Sequence, residues 1–393
     1  MSVQQGAYRI TVIVLDGVGC GEAPDAAAYG DVGANSIGNA AHAVGGMRLP
    51  NLGRLGLGHL TDILGVPPDP APSGVYGRLQ EASAGKDTVT GHWEMMGVIS
   101  DKPQPTYLRG FPPDMIATFE RIAGRGVLGN KAASGTDIIK ELGDEHVRTG
   151  KLIVYTSSDS VFQIAAHEDV VPLPELYRIC TEMRAALTGV YALGRVIARP
   201  FVGRSGAYTR DNEGRHDWAL KAPRDTALDI IVASGLPVRG VGKIQDIFAG
   251  RGITSNQHAL NNAGATAETL SLLRQPEHGM IFTNLIEFDM VYGHRKNSQG
   301  YADALATFDV ALPEILGLLG PRDALFITGD HGVDPTTPGT DHTREFVPLL
   351  AAGYRMPAGT NIGTRATFAD LGATIIDLFG LPPLHTGTSF AAR

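Results

Sequence analysis

Six side chains of the kinds that bind divalent metal ions follow apolar segments of this sequence. Asp16 follows the run ITVIVL, and Asp330 with His331 follows ALFITG. Because ligands of open α/β sheets bind outside the carboxyl ends of the strands, such residues can meet at one site. Mixed carboxylate and imidazole ligands are typical of Mn, Zn or Fe sites, whereas oxygen ligands alone would indicate Mg or Ca. The candidate ligands are Asp16, Asp289, His294, Asp330, His331 and His342.

The spacing of these residues predicts two neighbouring metal sites. His294 follows Asp289 by five residues, across a turn that contains Gly293, so both side chains can reach one ion. Asp330 and His331 are adjacent, and just past a strand end they could serve two ions. A single strand-end aspartate is more often a turn former or a helix cap. The clustering of five of the six candidates within residues 289–342 favours the joint interpretation.

The segment GKDTVTGHWEM, residues 85–95, supplies a candidate nucleophile. A threonine hydroxyl reacts poorly at neutral pH, and the chain shows no Ser-His-Asp order that would activate it. A metal ion can do so by stabilising the alkoxide, and a helix that begins at KDT would offer backbone N–H groups to a phosphate. Thr88 fits this role. Thr90 is the competing residue, and helix capping is the structural alternative for Thr88.

The arrangement of elements predicts an α/β enzyme with two domains. Strands and amphipathic helices alternate in the first and last parts of the chain, which indicates a largely parallel sheet covered on both faces. Residues 103–221 have their own helices and strands and are bounded by the polar segments DKPQPT and RDNEGRHDW. We therefore expect a discontinuous core, residues 1–102 and 222–393, with an inserted domain at 103–221.

Composition excludes several classes of function. The formal charge is −8 over 393 residues, without a basic block, which argues against nucleic acid or an anionic membrane as a partner. The apolar run Ile10–Leu15 is too short for a membrane span or the core of a signal peptide. Cys20 and Cys180 are far apart and form no CxxC motif, so reduced thiols in a cytoplasmic protein are expected.

Several segments together resemble the phosphopentomutases of prokaryotic type, within the alkaline phosphatase superfamily. They are VLDGVGCGEAPDA, GKDTVTGHWEM, YTSSDSVFQIAAHE, GRVIARPFVG, EFDMVYGHR and TGDHGVDPTTPGTDHTRE. GDHG alone would indicate only the superfamily, whereas GKDTVTGHWE with YTSSDS narrows the resemblance to the mutases. The resemblance implies an alkaline-phosphatase-like core, with a mostly parallel sheet between helices, and an inserted smaller α/β cap domain.

The resemblance also implies an activity and its cofactors. The family interconverts ribose 1-phosphate and ribose 5-phosphate, and their 2-deoxy counterparts, through a phosphothreonine enzyme and a 1,5-bisphosphate. It uses two Mn²⁺ ions and a sugar bisphosphate activator such as glucose 1,6-bisphosphate, and it suggests a monomer. By resemblance, Thr88 holds the phosphoryl group. One metal site would consist of Asp16, Thr88, Asp330 and His331, and the other of Asp289, His294 and His342.

Substrate contacts are implied mainly in the inserted domain. A site for a sugar bisphosphate needs fixed cations or donors at the phosphate that does not react. By resemblance these contacts come from SSDSV and GRVIARPF, with one lysine from GVGKIQDIF in the core. The residues are Ser157, Asp159, Val161, Arg195, Ile197 and Lys243.

Three alternatives share part of this pattern. A metal-dependent phosphatase, phosphodiesterase or sulfatase would keep every metal ligand, and its product would distinguish it. A cofactor-independent phosphoglycerate mutase has a related core and a cap, but it uses a serine nucleophile and a longer chain. A binding module that has lost catalysis would show neither bound metal nor turnover.

Overall fold

A computed structural model describes residues 6–157 and 159–393. The contacts within the chain divide it into two compact units. The larger unit runs to Pro103 and resumes at Ala222, and the smaller unit is Gln104–Lys221. Within the described residues, no helix combines the length and the apolar character needed to cross a membrane. Each unit has its own sheet and its own hydrophobic core.

The strands are numbered along the chain. In the described residues they are β1 (Arg9–Leu15), β2 (Val75–Leu79), β3 (Val127–Ala132), β4 (Leu152–Thr156), β5 (Val161–His167), β6 (Arg195–Val202), β7 (Thr209–Arg210), β8 (His216–Ala219), β9 (Val238–Val241), β10 (Ser255–Gln257), β11 (Gly279–Leu285), β12 (Asp323–Thr328), β13 (Val347–Gly353) and β14 (Asn361–Arg365).

The α-helices are numbered in the same way. They are α1 (Ala26–Tyr29), α2 (Ser36–Ala43), α3 (Pro50–Leu55), α4 (Thr88–Met95), α5 (Pro113–Ala123), α6 (Gly135–Thr149), α7 (Leu173–Ala186), α8 (Ala227–Ala233), α9 (Ile244–Ile247), α10 (Asn262–Leu273), α11 (Ser298–Gly317) and α12 (Ala369–Phe379). Two 3₁₀ turns, Leu57–His59 and Gly189–Tyr191, and a π-helical turn, Phe288–Gly293, complete the set in the described part of the chain.

The sheet of the larger unit has the strand order β10-β9-β11-β1-β12-β13-β2-β14. Strand β13 runs antiparallel to both of its neighbours, whereas the other neighbouring pairs are parallel. Strand β1 is buried along its whole length, as expected for a strand with helices on both faces. The structure therefore confirms the predicted α/β class. Because β11, β1 and β12 are adjacent and parallel, their carboxyl ends meet at one edge.

One face of this sheet packs against α11, the longest helix in the described residues. Its apolar side chains, including Leu305 and Leu312, are buried with Ile13, Ile281 and Leu325 from the three central strands. A fully buried aliphatic side chain contributes roughly 1.5–3 kcal/mol relative to an exposed one. This packing fixes the strand ends that carry the candidate ligands.

The smaller unit contains a mixed sheet with the order β3-β4-β5-β6-β7, and β8 pairs with β6. Alternate residues of the buried strand β4 face opposite sides. Val154 packs in a cluster with side chains of α5 and α7, whereas Ile153 and Tyr155 pack with Ile138 and Ile139 of α6. The two cysteines of the protein, one in each unit, are buried and unbridged.

Candidate active site

The carboxyl ends of β1, β11 and β12 deliver four of the candidate ligands. Asp16 follows β1 directly, and Asp330 with His331 lies just past β12. Asp289 lies in the π-helical turn that begins three residues after β11. All four side chains are buried. The turn lets Asp289 and His294 face each other, as their spacing predicts, although the sequence pattern did not reveal that the turn is π-helical.

The ligand atoms form two groups that share His331. Asp16, Asp330 and His331 form one group, and Asp289, His331 and His342 form the other. Within each group the nitrogen and oxygen atoms lie within 4.8 Å of one another. His331 Nε2 is 3.4 Å from both Asp16 Oδ1 and Asp330 Oδ2. The predicted ligands of the two sites thus form one continuous cluster.

His294 and His342 approach the same oxygen of Asp289. Each Nε2 atom lies 3.2 Å from Asp289 Oδ1. His294 Nδ1 is 2.6 Å from the carbonyl oxygen of Thr340, and His331 Nδ1 is 3.0 Å from that of Gly332. Since a carbonyl can only accept, each Nδ1 carries a hydrogen, and each Nε2 is the nitrogen that faces the cluster. This orientation by backbone oxygens is typical of metal-binding histidines.

The chemistry of the cluster fits divalent metal ions. Asp289 Oδ1 and Asp330 Oδ2 are buried atoms that have no hydrogen-bond partner in the described residues, although imidazole nitrogens lie nearby. Burying a charged oxygen without a partner is costly. A cation among these carboxylates and imidazoles would satisfy them, so the side chains present form a suitable ligand set for Mn, Zn or Fe.

The shifted pKa values of the cluster reflect the same need for a positive charge among the buried carboxylates. Burial and the neighbouring Asp330 raise the pKa of Asp16 above its usual value. Burial acts in the same direction on Asp330, but His331 and His92 outweigh it and lower the pKa of Asp330 to about 2. Burial alone would lower the pKa of His331, yet Asp330 and Asp16 raise it well above its usual value. A proton on His331 therefore partly substitutes for a cation.

Thr88 is the first residue of α4 and points at this cluster. Its Oγ1 is 3.1 Å from His331 Nε2 and 3.5 Å from Asp16 Oδ1. The helix cap is Asp87, which accepts a hydrogen bond from the backbone N–H of Thr90. The Thr90 hydroxyl is buried and donates to Asp87 at 2.6 Å. Of the two threonines, Thr88 is thus the one whose hydroxyl faces the candidate ligands.

Two residues of the same segment explain why α4 lies there. A Cβ atom on Gly91 would come within 2.1 Å of the carbonyl oxygen of Asp330, so only glycine allows this close approach of helix to strand end. Glu94 is buried and accepts hydrogen bonds from the backbone N–H groups of Ala82, Ser83 and Phe368. The glutamate therefore serves as a structural anchor of the helix.

His92 and Asn284 are buried site residues that the sequence analysis missed. Asn284 Nδ2 is 2.6 Å from Asp16 Oδ2, and His92 Nδ1 is 2.8 Å from the carbonyl oxygen of Thr88. A polar residue near the end of an apolar strand was the available signal for Asn284. For His92, the signal was its position one helical turn after Thr88.

The predicted contacts in the smaller unit line one cavity of ≈ 280 Å³. Arg195 extends along it and forms long ion pairs with Asp159 and Asp217, at 3.5 and 3.6 Å. Several other residues that were not predicted from the sequence also line the cavity, among them Gln163, Arg199 and Arg215. The predicted residues in its lining are Ser157, Asp159, Val161, Arg195 and Ile197.

Two further features belong to the larger unit. Lys243 is exposed, and its Nζ lies 3.9 Å from the sulfur of Met290, the residue after Asp289. A larger cavity of ≈ 560 Å³ is lined by the loop that runs from Gly58 to Pro68 and contains none of the predicted site residues. Within the described residues, both groups of candidate metal ligands thus lie in the strand-end cluster.

Comparisons with known proteins agree with this geometry. Residues 8–383 match the model of the metalloenzyme superfamily. A Kosmotoga olearia protein named phosphopentomutase is 56% identical over 97% of this chain and 98% of its own length. Its Thermotoga maritima namesake is 55% identical, again over 97% and 98%. A solved phosphoglycerate mutase of Leishmania mexicana shares the fold, with a TM-score of 0.50 and 13% identity over 99% of this chain and 98% of that one.

Proposed function

Since the chain belongs to the phosphopentomutase family, we propose that it interconverts the 1-phosphates and 5-phosphates of ribose and deoxyribose. The enzyme is then an isomerase that moves a phosphoryl group between two hydroxyls of a pentose. The observation that carries the mechanism is the position of Thr88, whose hydroxyl faces a buried cluster of metal-ligand side chains.

We assign the cluster to two Mn²⁺ ions. Asp16, Thr88, Asp330 and His331 would hold one ion, and Asp289, His294 and His342 the other. When bound, the ions would neutralise charge on the phosphoryl oxygens and make the threonine hydroxyl nucleophilic at neutral pH. His331 lies at the junction of the two ligand groups, so its ring position affects both sites.

Thr88 exchanges the phosphoryl group with the sugar in two steps. Phospho-Thr88 first transfers its phosphoryl group to the free hydroxyl of a pentose monophosphate, which yields the 1,5-bisphosphate and a free Thr88 hydroxyl. The bisphosphate then returns its other phosphoryl group to Thr88. The Thr90 N–H is capped by Asp87, but the N–H groups of Thr88 and Val89 are suited to hold phosphoryl oxygens, because the positive end of the helix dipole lies there.

Binding of the sugar is assigned mainly to the smaller unit. Ser157, Asp159, Val161 and Ile197 are proposed to contact the pentose, and Arg195 the phosphate that does not react. The long ion pairs of Arg195 leave its guanidinium donors available for a bidentate contact with phosphate. In the larger unit, Lys243 is proposed as a substrate contact because it is an exposed cation next to the Asp289 turn.

Three properties complete the proposal. A sugar bisphosphate such as glucose 1,6-bisphosphate would supply the first phosphoryl group to Thr88. The protein is proposed to act as a monomer in the cytoplasm, without nucleic acid or membrane partners. These properties follow from the family and from the charge and cysteine content of the chain.

A product assay tests the proposed function. Ribose 1-phosphate is supplied with MnCl₂ and a trace of glucose 1,6-bisphosphate, and ribose 5-phosphate and inorganic phosphate are followed together by ³¹P NMR. We expect ribose 5-phosphate to accumulate with little free phosphate. Free phosphate as the main product would identify a phosphatase instead, and absence of both products from metal-loaded protein would contradict the proposal.

A further inference from the structure

Behind Thr88 and Asp16 lies a chain of buried polar groups to which the proposed mechanism gives no role. It begins at Asp16 Oδ2, which accepts a hydrogen bond from Asn284 Nδ2 at 2.6 Å. Asn284 Nδ2 is also 3.4 Å from His92 Nε2. The chain ends at the carbonyl oxygen of Thr88, 2.8 Å from His92 Nδ1. Two side chains thus connect a candidate metal ligand to the backbone of the candidate nucleophile.

The neighbours of each group fix the direction of these hydrogen bonds. Asp16 Oδ2 can only accept, so the NH₂ group of Asn284 must face it and not the amide oxygen. His92 Nδ1 faces two oxygens, the Thr88 carbonyl and Asp330 Oδ2 at 3.2 Å, and therefore carries the ring hydrogen. Nε2 is then free to accept the second hydrogen of the Asn284 amide.

Burial of Asn284 at this position costs folding free energy, which indicates a role other than stabilising the fold. Its side chain is buried in β11, and its Oδ1 has no hydrogen-bond partner in the described residues. A buried acceptor without a partner costs about 1–3 kcal/mol. Both amide hydrogens, by contrast, point at Asp16 and His92. Both donors of the Asn284 amide are therefore in use, whereas its oxygen accepts no hydrogen bond within the described residues.

His92 is as deeply buried as Asn284. It is fully buried, and its ring lies 5.8 Å from that of Phe282 on the same strand as Asn284. Because water cannot replace a lost partner at this depth, loss of either side chain leaves the next group without its bond.

We infer that His92 and Asn284 are positioning residues that set the separation between the Thr88 hydroxyl and the Asp16 carboxylate. This inference rests on the proposed function, because it takes Thr88 as the nucleophile. Without the chain, the first turn of α4 can shift relative to the end of β1. Such a shift lowers the rate of phosphoryl transfer, and it leaves the sugar contacts of the smaller unit unchanged. The expected signature is a lower kcat with an almost unchanged KM.

The following variants distinguish the effect of these hydrogen bonds from the effect of side-chain packing. Asn284→Leu keeps the shape of the side chain but removes both donors. His92→Leu keeps a similar volume but removes the Nδ1 donor and the Nε2 acceptor. His92→Asn restores an N–H donor at the position of Nδ1. Asn51→Leu is the matched control, because the Asn51 amide donates to Asp309 in a partly buried contact that belongs to α3 and α11.

Steady-state kinetics of the manganese-loaded full-length variants give the first result. We expect kcat to fall about 10- to 100-fold in Asn284→Leu and His92→Leu, as for other residues that orient metal ligands, with KM within about twofold of wild type. His92→Asn restores only the donor to the Thr88 carbonyl and should recover part of kcat, whereas Asn51→Leu should keep all of it. An unchanged kcat in Asn284→Leu, or a change in KM alone, would overturn the inference.

A second measurement does not depend on turnover. ¹⁵N NMR of histidine-labelled protein, loaded with Mg²⁺ to avoid paramagnetic broadening, reports which nitrogen of His92 carries the hydrogen. We expect Nδ1–H in wild type and a shifted Nε2 resonance in Asn284→Leu. A hydrogen on Nε2, or no shift in the variant, would overturn the network. If wild type shows no mutase turnover, the proposed function fails, and this spectrum still decides whether the hydrogen-bond chain exists.

Discussion

The strand-end cluster of the larger unit and the cavity of the smaller unit are both polar, but they are built in opposite ways. In the cluster, Asp16, Asp330 and His331 are fully buried, and a backbone carbonyl fixes the His331 ring. In the cavity, Arg195 is 41% exposed and its two carboxylate neighbours are at 3.5 Å or more. The cluster is therefore enclosed and held by hydrogen bonds, whereas the cavity leaves the charged group of Arg195 partly open to solvent.

This difference corresponds to two tasks. Phosphoryl transfer is accelerated mainly by charges that are already in place when the reaction begins, which requires buried and oriented groups. Recognition of a sugar phosphate requires donors that can adjust to the ligand, which half-exposed arginines provide. We therefore expect substitutions in the cluster to affect kcat and metal content, and substitutions in the cavity to affect KM.

The largest effect is expected from Thr88→Ala. Removal of the hydroxyl eliminates the group that accepts the phosphoryl group, so mutase turnover should fall by on the order of 10⁴-fold or more. Manganese should remain bound, because the six carboxylate and imidazole ligands are unchanged. The assay follows ribose 5-phosphate, and metal analysis gives the ion content. Thr90→Val is the control, with a loss of less than about tenfold expected. Retained turnover in Thr88→Ala would exclude Thr88 as the nucleophile.

A smaller but still large effect is expected from Asp289→Asn. Asp289 Oδ1 is the atom that both His294 and His342 approach, so loss of its charge should weaken one of the two metal sites. We expect calorimetric titration with Mn²⁺ to detect one tight site instead of two, and kcat to fall about 10²-fold. Asp303→Asn, on the exposed side of α11, provides a control that keeps both sites. Two unchanged sites in Asp289→Asn would remove it from the ligand set.

A moderate effect confined to KM is expected in the cavity. Arg195→Ala should raise KM for ribose 5-phosphate about tenfold, which is the size of one charge-assisted contact, and leave kcat within about threefold. Arg178→Ala, an exposed arginine of the same unit that pairs with Glu182, should change neither constant. A fall in kcat without a rise in KM would mean that the cavity contributes to catalysis as well, and the division between the two regions would not hold.

The same contrast shows what the sequence could predict. Asp16, Asp330 and His331 were predictable, because a run of apolar residues that ends in a carboxylate or an imidazole predicts a buried strand with a polar end. The sequence of residues 85–95 predicted a helix that begins near Thr88, but it could not decide whether Thr88 or Thr90 is the nucleophile. That choice depends on Asp87 acting as the cap, which is a matter of side-chain geometry.

Other features carried only a weak signal in the sequence. His92 and Asn284 each look like an ordinary polar residue in a helix or a strand, and their role depends on neighbours about 190 residues apart in sequence. The π-helical turn at Asp289 and the reversed direction of β13 likewise depend on tertiary packing. In the cavity, Arg199 lies four residues after Arg195 on the same strand, so strand alternation alone puts both on one face. Arg215, just before β8, comes to this lining through the pairing of β8 with β6, which the sequence did not predict.

The smallest effect concerns the buried support behind the cluster. Glu345 is fully buried, and its carboxylate accepts hydrogen bonds from Ser36 and from Thr343, the residue after His342. Burial raises its pKa from 4.5 to about 7. The folded protein therefore keeps a proton on Glu345 between these two pH values that the unfolded chain releases. The contribution of this proton to stability is fully present below pH 4.5 and is lost as the pH rises through about 7.

Glu345→Gln should remove this dependence, because an amide places a donor and an acceptor where the protonated carboxyl has them. We expect the free energy of unfolding of metal-free wild type to fall, relative to the variant, by about 1 kcal/mol per pH unit between pH 5 and 7. Urea titrations at pH 5, 6 and 7, in the presence of a chelator, measure the difference. Parallel curves for the two proteins would show that Glu345 is ionised throughout, and that its hydrogen bonds to Ser36 and Thr343 outweigh the cost of burial.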